Sequence, residues 1–218
     1  MHKNRIFLVD DHPLVREWLT NLINQQPDLE VCGECESAPQ ALQKIIELNP
    51  DVAVVDISLK DSSGVELIKS LRQAHPKVQV LVLSMHEESL YAERALRAGA
   101  RGYVMKRETT RKVIEAIHTV LAGKLYLSDH VKEALATRLV DKAAAGNQTP
   151  PELLSDRELE VFEMLGRGQG TRLIAENLNV SVKTVQAYCA RMKEKMGLSN
   201  ATELLREAIR WNESKQPH

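Results

Sequence analysis

At 218 residues the chain exceeds one average domain and has length enough for two modest hydrophobic cores. Its 29 Lys and Arg almost balance its 30 Asp and Glu, which excludes a uniformly basic nucleic-acid binder, so any contact with a polyanion must come from a local patch. The N-terminus turns polar at "DDH" too early for a signal peptide, and no apolar run could span a bilayer, so the expectation is a cytoplasmic protein without membrane contact.

Taken in order, "RIFLVDD" reads as an apolar strand that ends in Asp10 and Asp11. Residues 14–23 then place Leu14, Val15, Trp18, Leu19, Leu22 and Ile23 at helical spacing, with Pro13 suited to the first turn. A short strand over Leu29–Cys35 carries Cys32 and Cys35. This C-x-x-C has no second Cys pair and lies inside a strand, so it reads as free thiols in a reducing compartment rather than a zinc or redox site. Ala41, Leu42, Ile45, Ile46 and Leu48 stripe a second helix that stops at Asn49 and Pro50. In "DVAVVDISLK", Val52, Ala53, Val54 and Val55 make a buried strand that ends on one carboxylate, Asp56. The turn "DSSG" follows, then a helix carrying Val65, Leu67, Ile68 and Leu71. A strand over residues 78–83 leads to Ser84, a helix over 89–98 closes at Gly99, "RGYVMK" ends at Lys106, and Thr110–Leu121 forms a fifth helix. Strict alternation of strand and helix predicts an α/β doubly wound, five-stranded parallel sheet.

Each strand-end polar residue taken singly, Asp56 included, also reads as a turn former. Together they argue for chemistry. In a parallel sheet Asp10, Asp11, Asp56, Ser84 and Lys106 converge on the carboxyl edge, where open α/β sheets hold ligands. Clustered carboxylates repel unless a cation offsets them, and an oxygen-rich set with room for water suits Mg2+.

Residues 125–140 predict a connecting helix with an N-cap at Ser128 and a stripe of Val131, Leu135, Leu139 and Val140. "DKAAAGNQTPPE" loses periodicity and ends in a double proline, which neither helix nor central strand accepts. Beyond it only helices are expected. Ser155 and Glu158 have capping-box spacing ahead of Leu159, Val161, Phe162 and Leu165. Gly166, Gly168 and Gly170 read as a turn, since no strand precedes them and no lysine follows. A short helix "TRLIAENLNV", a tight turn and the longer basic helix "VKTVQAYCARMKEKMG" make a helix-turn-helix, which "ATELLREAIRW" closes with a fourth helix. The boundaries read as 1–124, a linker over 125–153, and a small all-α four-helix domain over 154–218.

The first half resembles the receiver domain of bacterial two-component response regulators, on Asp10, Asp11, Asp56, Ser84, Tyr103 and Lys106. The second half, from "LSDRELEVFEMLGRG" to "KMGL", resembles the LuxR-type helix-turn-helix domain. Together they are the NarL/FixJ architecture. The resemblance implies a transcriptional regulator phosphorylated on Asp56 by a histidine kinase, with Mg2+ held by Asp11, Asp56, the Ser58 carbonyl and Asp10. It makes Ser84 the switch hydroxyl, Lys106 the phosphoryl-pairing cation, and Tyr103 an aromatic that rotates from exposed to buried. Double-stranded DNA would meet the helix Val182–Met196 through Lys183, Thr184, Gln186, Ala187, Ala190 and Arg191, with Lys193 and Lys195 better placed for phosphates or the helix end. The active form would be a homodimer, with the closing helix as a plausible dimer surface. The family's usual "TVKxH" reads "TVQAY" here, so a lysine has become Gln186 and a histidine Tyr188. Gln pairs best with adenine, so a shifted operator preference is expected. A phosphohydrolase using Asp56 would need a second carboxylate two residues on, and that position is Ser58; the chain is therefore expected not to be a turnover enzyme.

Overall fold

The computed structural model describes residues 3–59, 62–141 and 153–214. The chain divides into two compact units, Met1–Ala145 and Gly146–His218.

The first unit is built on β1 (Asn4–Val9), β2 (Leu29–Cys35), β3 (Val52–Val55), β6 (Gln79–Ser84) and β7 (Gly102–Met105), all parallel, in the order β2-β1-β3-β6-β7. A minor antiparallel ladder pairs β4 (Ser58–Leu59) with β5 (Ser62–Ser63). The helices are α1 (Pro13–Asn24), α2 (Ala38–Leu48), α3 (Gly64–Ala74), α4 (Glu88–Ala98) and α5 (Thr110–Leu121). Side chains alternate across the sheet. Ile6, Leu8, Val54, Leu81, Leu83 and Val104 pack on Leu19, Ile23, Val113 and Ile117 of α1 and α5. The opposite set, including Phe7, Ala53, Val82 and Tyr103, is buried on the other face. Burial on both sides explains why the central strands read as continuous apolar runs.

Two residues of the expected helical stripes fall outside the core. Leu14 is 78% exposed and Ile46 48% exposed. Leu14 lies in the first turn of α1, and Ile46 sits about 100° around α2 from the buried Ile45.

The segment after α5 is tied to the sheet. Tyr126 bridges parallel to Gly102, with its N–H donating to Arg101 O and its carbonyl accepting from Tyr103 N–H, both at 3.0 Å. Ser128 N–H donates to the buried Glu88 carboxylate (2.8 Å), and the Ser128 hydroxyl accepts from Val131 N–H at the start of α6 (Asp129–Asp141). Val131 is buried. The double proline and the aperiodic stretch before it, read above as a boundary, lie outside the described residues, as do Lys60 and Asp61 of the turn after Asp56.

The second unit contains α7 (Asp156–Gly166), α8 (Thr171–Asn177), α9 (Val182–Met196) and α10 (Ala201–Glu213), which we number in continuation. The capping box forms as the spacing predicts: the Ser155 hydroxyl accepts from Glu158 N–H, and the Glu158 carboxylate accepts from Ser155 N–H. Leu159, Phe162, Ile174, Val185, Met192, Leu204 and Ala208 fill the core, and the Phe162 ring lies 5.4 Å from that of Trp211. Gly166 lets α10 approach the end of α7: a Cβ there would sit 2.4 Å from Ala208 O. Gly166→Ala is therefore expected to destabilise this unit by about 1–3 kcal/mol, seen as a lower urea midpoint in its unfolding transition.

Candidate functional site

The sheet ladder continues one residue past the strands and sets the pocket in register. Asp10 N–H donates to Cys35 O, Asp56 N–H to Val9 O, and Lys106 N–H to Ser84 O. The side chains of Asp10 and Asp56 and the Lys106 ammonium thus meet at the carboxyl edge, buried, with Nζ 2.6 Å from an oxygen of each carboxylate. Ligand atoms of Asp10, Asp11, His12 and Asp56 all lie within 4.8 Å of one another.

Charge is unbalanced here. Burial and the Asp56 charge push the Asp10 carboxyl above the ordinary range, with Lys106 opposing them. Burial alone would lower the Lys106 pKa, but the charges of Asp56 and Asp10 outweigh it and raise the ammonium above its usual range. Two backbone amides share in holding the carboxylates: His12 N–H donates to Asp10 Oδ1 (2.9 Å) and Ser58 N–H to Asp56 Oδ1 (3.1 Å). Asp11 Oδ1 is buried and accepts no hydrogen bond, although His12 Nδ1 lies 2.8 Å away.

Gly64 is required beside the pocket. A Cβ on it would lie 2.1 Å from the Asp56 carbonyl oxygen, so only glycine lets α3 begin against the Asp56 backbone.

Next to the carboxylates stands a residue that pattern reading missed, His86. Its Nε2 is 2.5 Å from the Ser58 hydroxyl, its N–H donates to Ser84 Oγ (3.2 Å), its carbonyl accepts from the Tyr103 hydroxyl (3.0 Å), and its ring stacks on Tyr91 at 4.5 Å.

On the second unit, α9 is capped by Ser181, whose hydroxyl accepts from Thr184 N–H. Lys183, Gln186, Ala187, Ala190 and Arg191 are exposed along it.

Residues 6–118 match the response regulator receiver domain family, and residues 152–208 match the bacterial regulatory proteins of the luxR family. The chain is 34% identical over 206 residues to the response regulator GacA of Pseudomonas viridiflava, covering 94% of this chain and 95% of that protein. The structure is similar to a LuxR-family two-component response regulator from Aurantimonas sp. SI85-9A1, with TM-score 0.59, 36% identity, and coverage of 63% of this chain and 99% of that one. It is also similar to RcsB from Salmonella enterica serovar Typhimurium bound to promoter rprA in the presence of the phosphomimetic BeF3-, with TM-score 0.58, 25% identity, and coverage of 95% and 99%. The chain belongs to the NarL/FixJ-type response regulators.

As a response regulator it carries the receiver fold and the LuxR-type DNA-binding domain of a transcription regulator, and its acidic cluster is compatible with Mg2+. The Asp11 oxygen that accepts no hydrogen bond is one that such a cation would meet. Among the described residues, no helix is long and apolar enough to cross a membrane.

The expected switch aromatic differs from its sequence reading. Tyr103 is not an exposed ring waiting to turn: it is 1% exposed, with its hydroxyl already bonded to His86 O. The physical reason is that β7 is covered on both faces, so Val104 is buried on the α5 side and Tyr103 on the opposite one. The α9 assignments also divide. Thr184, half-buried, has its hydroxyl 2.8 Å from that of Ser181. Gln186, Ala190 and Lys193 line one side of a cleft of about 550 Å³ that Leu204, Leu205 and Ile209 of α10 close from the other. Lys195, read as placed for phosphates or for the helix end, is 41% exposed and has its ammonium 2.6 Å from the Glu158 carboxylate.

Mg2+ is expected to raise the thermal midpoint of the wild type, by about 2.7 kcal/mol in stability at a hundredfold excess over Kd. Asp11→Asn should lose most of that rise in a thermal melt with and without the ion, while Asp156→Asn, far along the chain, should keep it.

Proposed function

We propose that this regulator is switched by phosphorylation of Asp56, with a histidine kinase supplying the phosphoryl group in the cytoplasm. The observation that carries the reading is the buried Lys106 ammonium bridging Asp10 and Asp56 beside a carboxylate oxygen of Asp11 that has no hydrogen bond.

The chemistry follows from the groups. A carboxylate is a weak nucleophile toward phosphorus, so attack by an Asp56 oxygen needs the incoming negative charge offset and the oxygen held in place. Lys106 Nζ, already within hydrogen-bond distance of Asp56 Oδ2, is placed to pair with a phosphoryl oxygen, and Ser58 N–H holds the other Asp56 oxygen. Asp11, Asp56 and the Ser58 carbonyl, supported by Asp10, would hold Mg2+, which supplies further charge neutralisation of the phosphoryl group when bound. The bond formed joins an Asp56 oxygen to phosphorus, and the bond broken releases the donor.

A phosphoryl group adds charge of about −1.5 to −2 and three acceptor oxygens. Those oxygens would accept from the Ser84 hydroxyl and draw it inward, and its oxygen is the one that accepts from His86 N–H. Movement of Ser84 would reach Tyr103 through the His86 backbone, since that backbone also accepts the Tyr103 hydroxyl. The output is engagement of double-stranded DNA by a homodimer through α9, with paired domains reading two half-sites. The DNA-bound state of RcsB with a phosphomimetic, a relative of similar fold, supports this reading. We hold the chain to be no turnover enzyme, because Ser58 stands where a leaving-group acid would be needed.

A small phosphoryl donor with Mg2+ is expected to label the wild type and not Asp56→Ala, and to raise DNA affinity only in the wild type; equal labelling of both would refute the proposal. Gln186→Lys is expected to steepen the dependence of log K on log salt by about one and to move base preference from adenine toward guanine, read by site selection with and without the substitution.

A further inference from the structure

The second unit holds a buried, ion-paired carboxylate against α9. The Glu158 side chain is 3% exposed, yet it faces α9 across the packing of α7. Its Oε2 accepts from Ser155 N–H (2.8 Å) and lies 2.6 Å from Lys195 Nζ. Its Oε1 is 3.8 Å from Arg191 Nε, and the Arg191 guanidinium also stands 4.9 Å from the centre of the Tyr188 ring. Lys195 and Arg191 are four residues apart, so they share one face of the helix, and both are turned toward the same anion.

A buried carboxylate stripped of its partner is costly, so Glu158 holds Lys195 although the lysine side chain itself is 41% exposed. Burial pushes the Glu158 carboxyl up, and the Lys195 ammonium with the Ser155 amide and hydroxyl outweighs it, leaving the group ionised well below neutrality. This helix already lacks a cation at Gln186. With Lys195 engaged and Arg191 restrained, Lys183 and Lys193 are the remaining lysines of α9.

We infer that Glu158 is a positioning residue of the DNA interface, which holds Lys195 and restrains Arg191 so that neither serves as a phosphate contact. The inference rests on the reading that α9 meets DNA, and adds to it a division of the helix cations. Non-specific affinity comes almost wholly from lysine and arginine on phosphates, whereas base contacts discriminate. Withholding cations from phosphates weakens binding about equally on every sequence and leaves discrimination to the base-facing side. Glu158 thus acts through Lys195 and Arg191 and touches no nucleotide itself.

Salt titration of the full chain separates this from a purely structural role, because each phosphate contact adds about 0.9 to the slope of log K against log salt. On a duplex of mixed sequence, Lys183→Ala is expected to lower the slope by about one, and Lys195→Gln, which keeps a hydrogen-bond donor for Glu158, to leave it unchanged. Glu158→Gln is expected to raise the slope by about one and to leave the ratio of operator to mixed-sequence affinity unchanged, with the operator taken from site selection. Equal losses of slope in Lys183→Ala and Lys195→Gln would overturn the inference while leaving α9 as the DNA-facing helix. An unchanged slope in Lys183→Ala would take down the α9 reading and the inference with it. Should Glu158→Gln fail to fold by circular dichroism, the comparison of Lys195→Gln with Lys183→Ala still decides.

Discussion

Lys106 Nζ stands 2.6 Å from each of two buried carboxylates that would otherwise repel one another, and the receiver's edge is arranged around that contact. Sheet register brings the three side chains together from strands 1, 3 and 7 of the chain, each one residue past its strand end. One ammonium cannot balance Asp10, Asp11 and Asp56, and Asp11 keeps an oxygen with no hydrogen bond. The pocket is stable as a fold and incomplete as a charge distribution. That is the condition a cation and a phosphoryl group can relieve, and it makes the occupancy of the pocket felt by every group hydrogen-bonded to it.

The opposite economy governs the second unit. Glu158 is buried and more than satisfied, by a backbone amide and a lysine, with an arginine close by. Where the receiver leaves negative charge in excess to be answered from outside, the helical unit answers its buried Glu158 from within. Both depend on a carboxylate whose neighbours come from a different element, so both join parts of the chain that local propensity would leave independent.

Much of this was legible in the sequence, for a physical reason. Strands buried on both faces must be apolar throughout, so the first polar residue after each run marks the sheet edge, and Asp10, Asp56, Ser84 and Lys106 fell there by that rule alone. The helices followed from period, and α9 matches its expected span because Ser181 and Gly197 punctuate it. What was hidden depends on which loop meets which. The Ser58 hydroxyl and His86 are 28 residues apart, and Glu158 and Lys195 are 37 apart; no periodicity connects them. The burial of Tyr103 was within reach, since a strand covered on both faces buries every side chain along it, but the resemblance implied an exposed ring. Leu14 shows the converse, an apolar residue in helical register with no core beneath it.

The two hydrogen bonds between Tyr126 and the outer side of β7 have a consequence for how the sheet ends. A terminal strand offers a row of unanswered amides and carbonyls, to which any extended peptide can add. Here the chain's own continuation occupies part of that row, so a receiver cut after residue 124 would present a bare margin that the whole protein keeps covered. At the other margin, β2 breaks its register at Cys32, which spoils a straight template in a different way. The molecule thereby guards both flanks of its sheet against uninvited strands, one by cover and one by distortion.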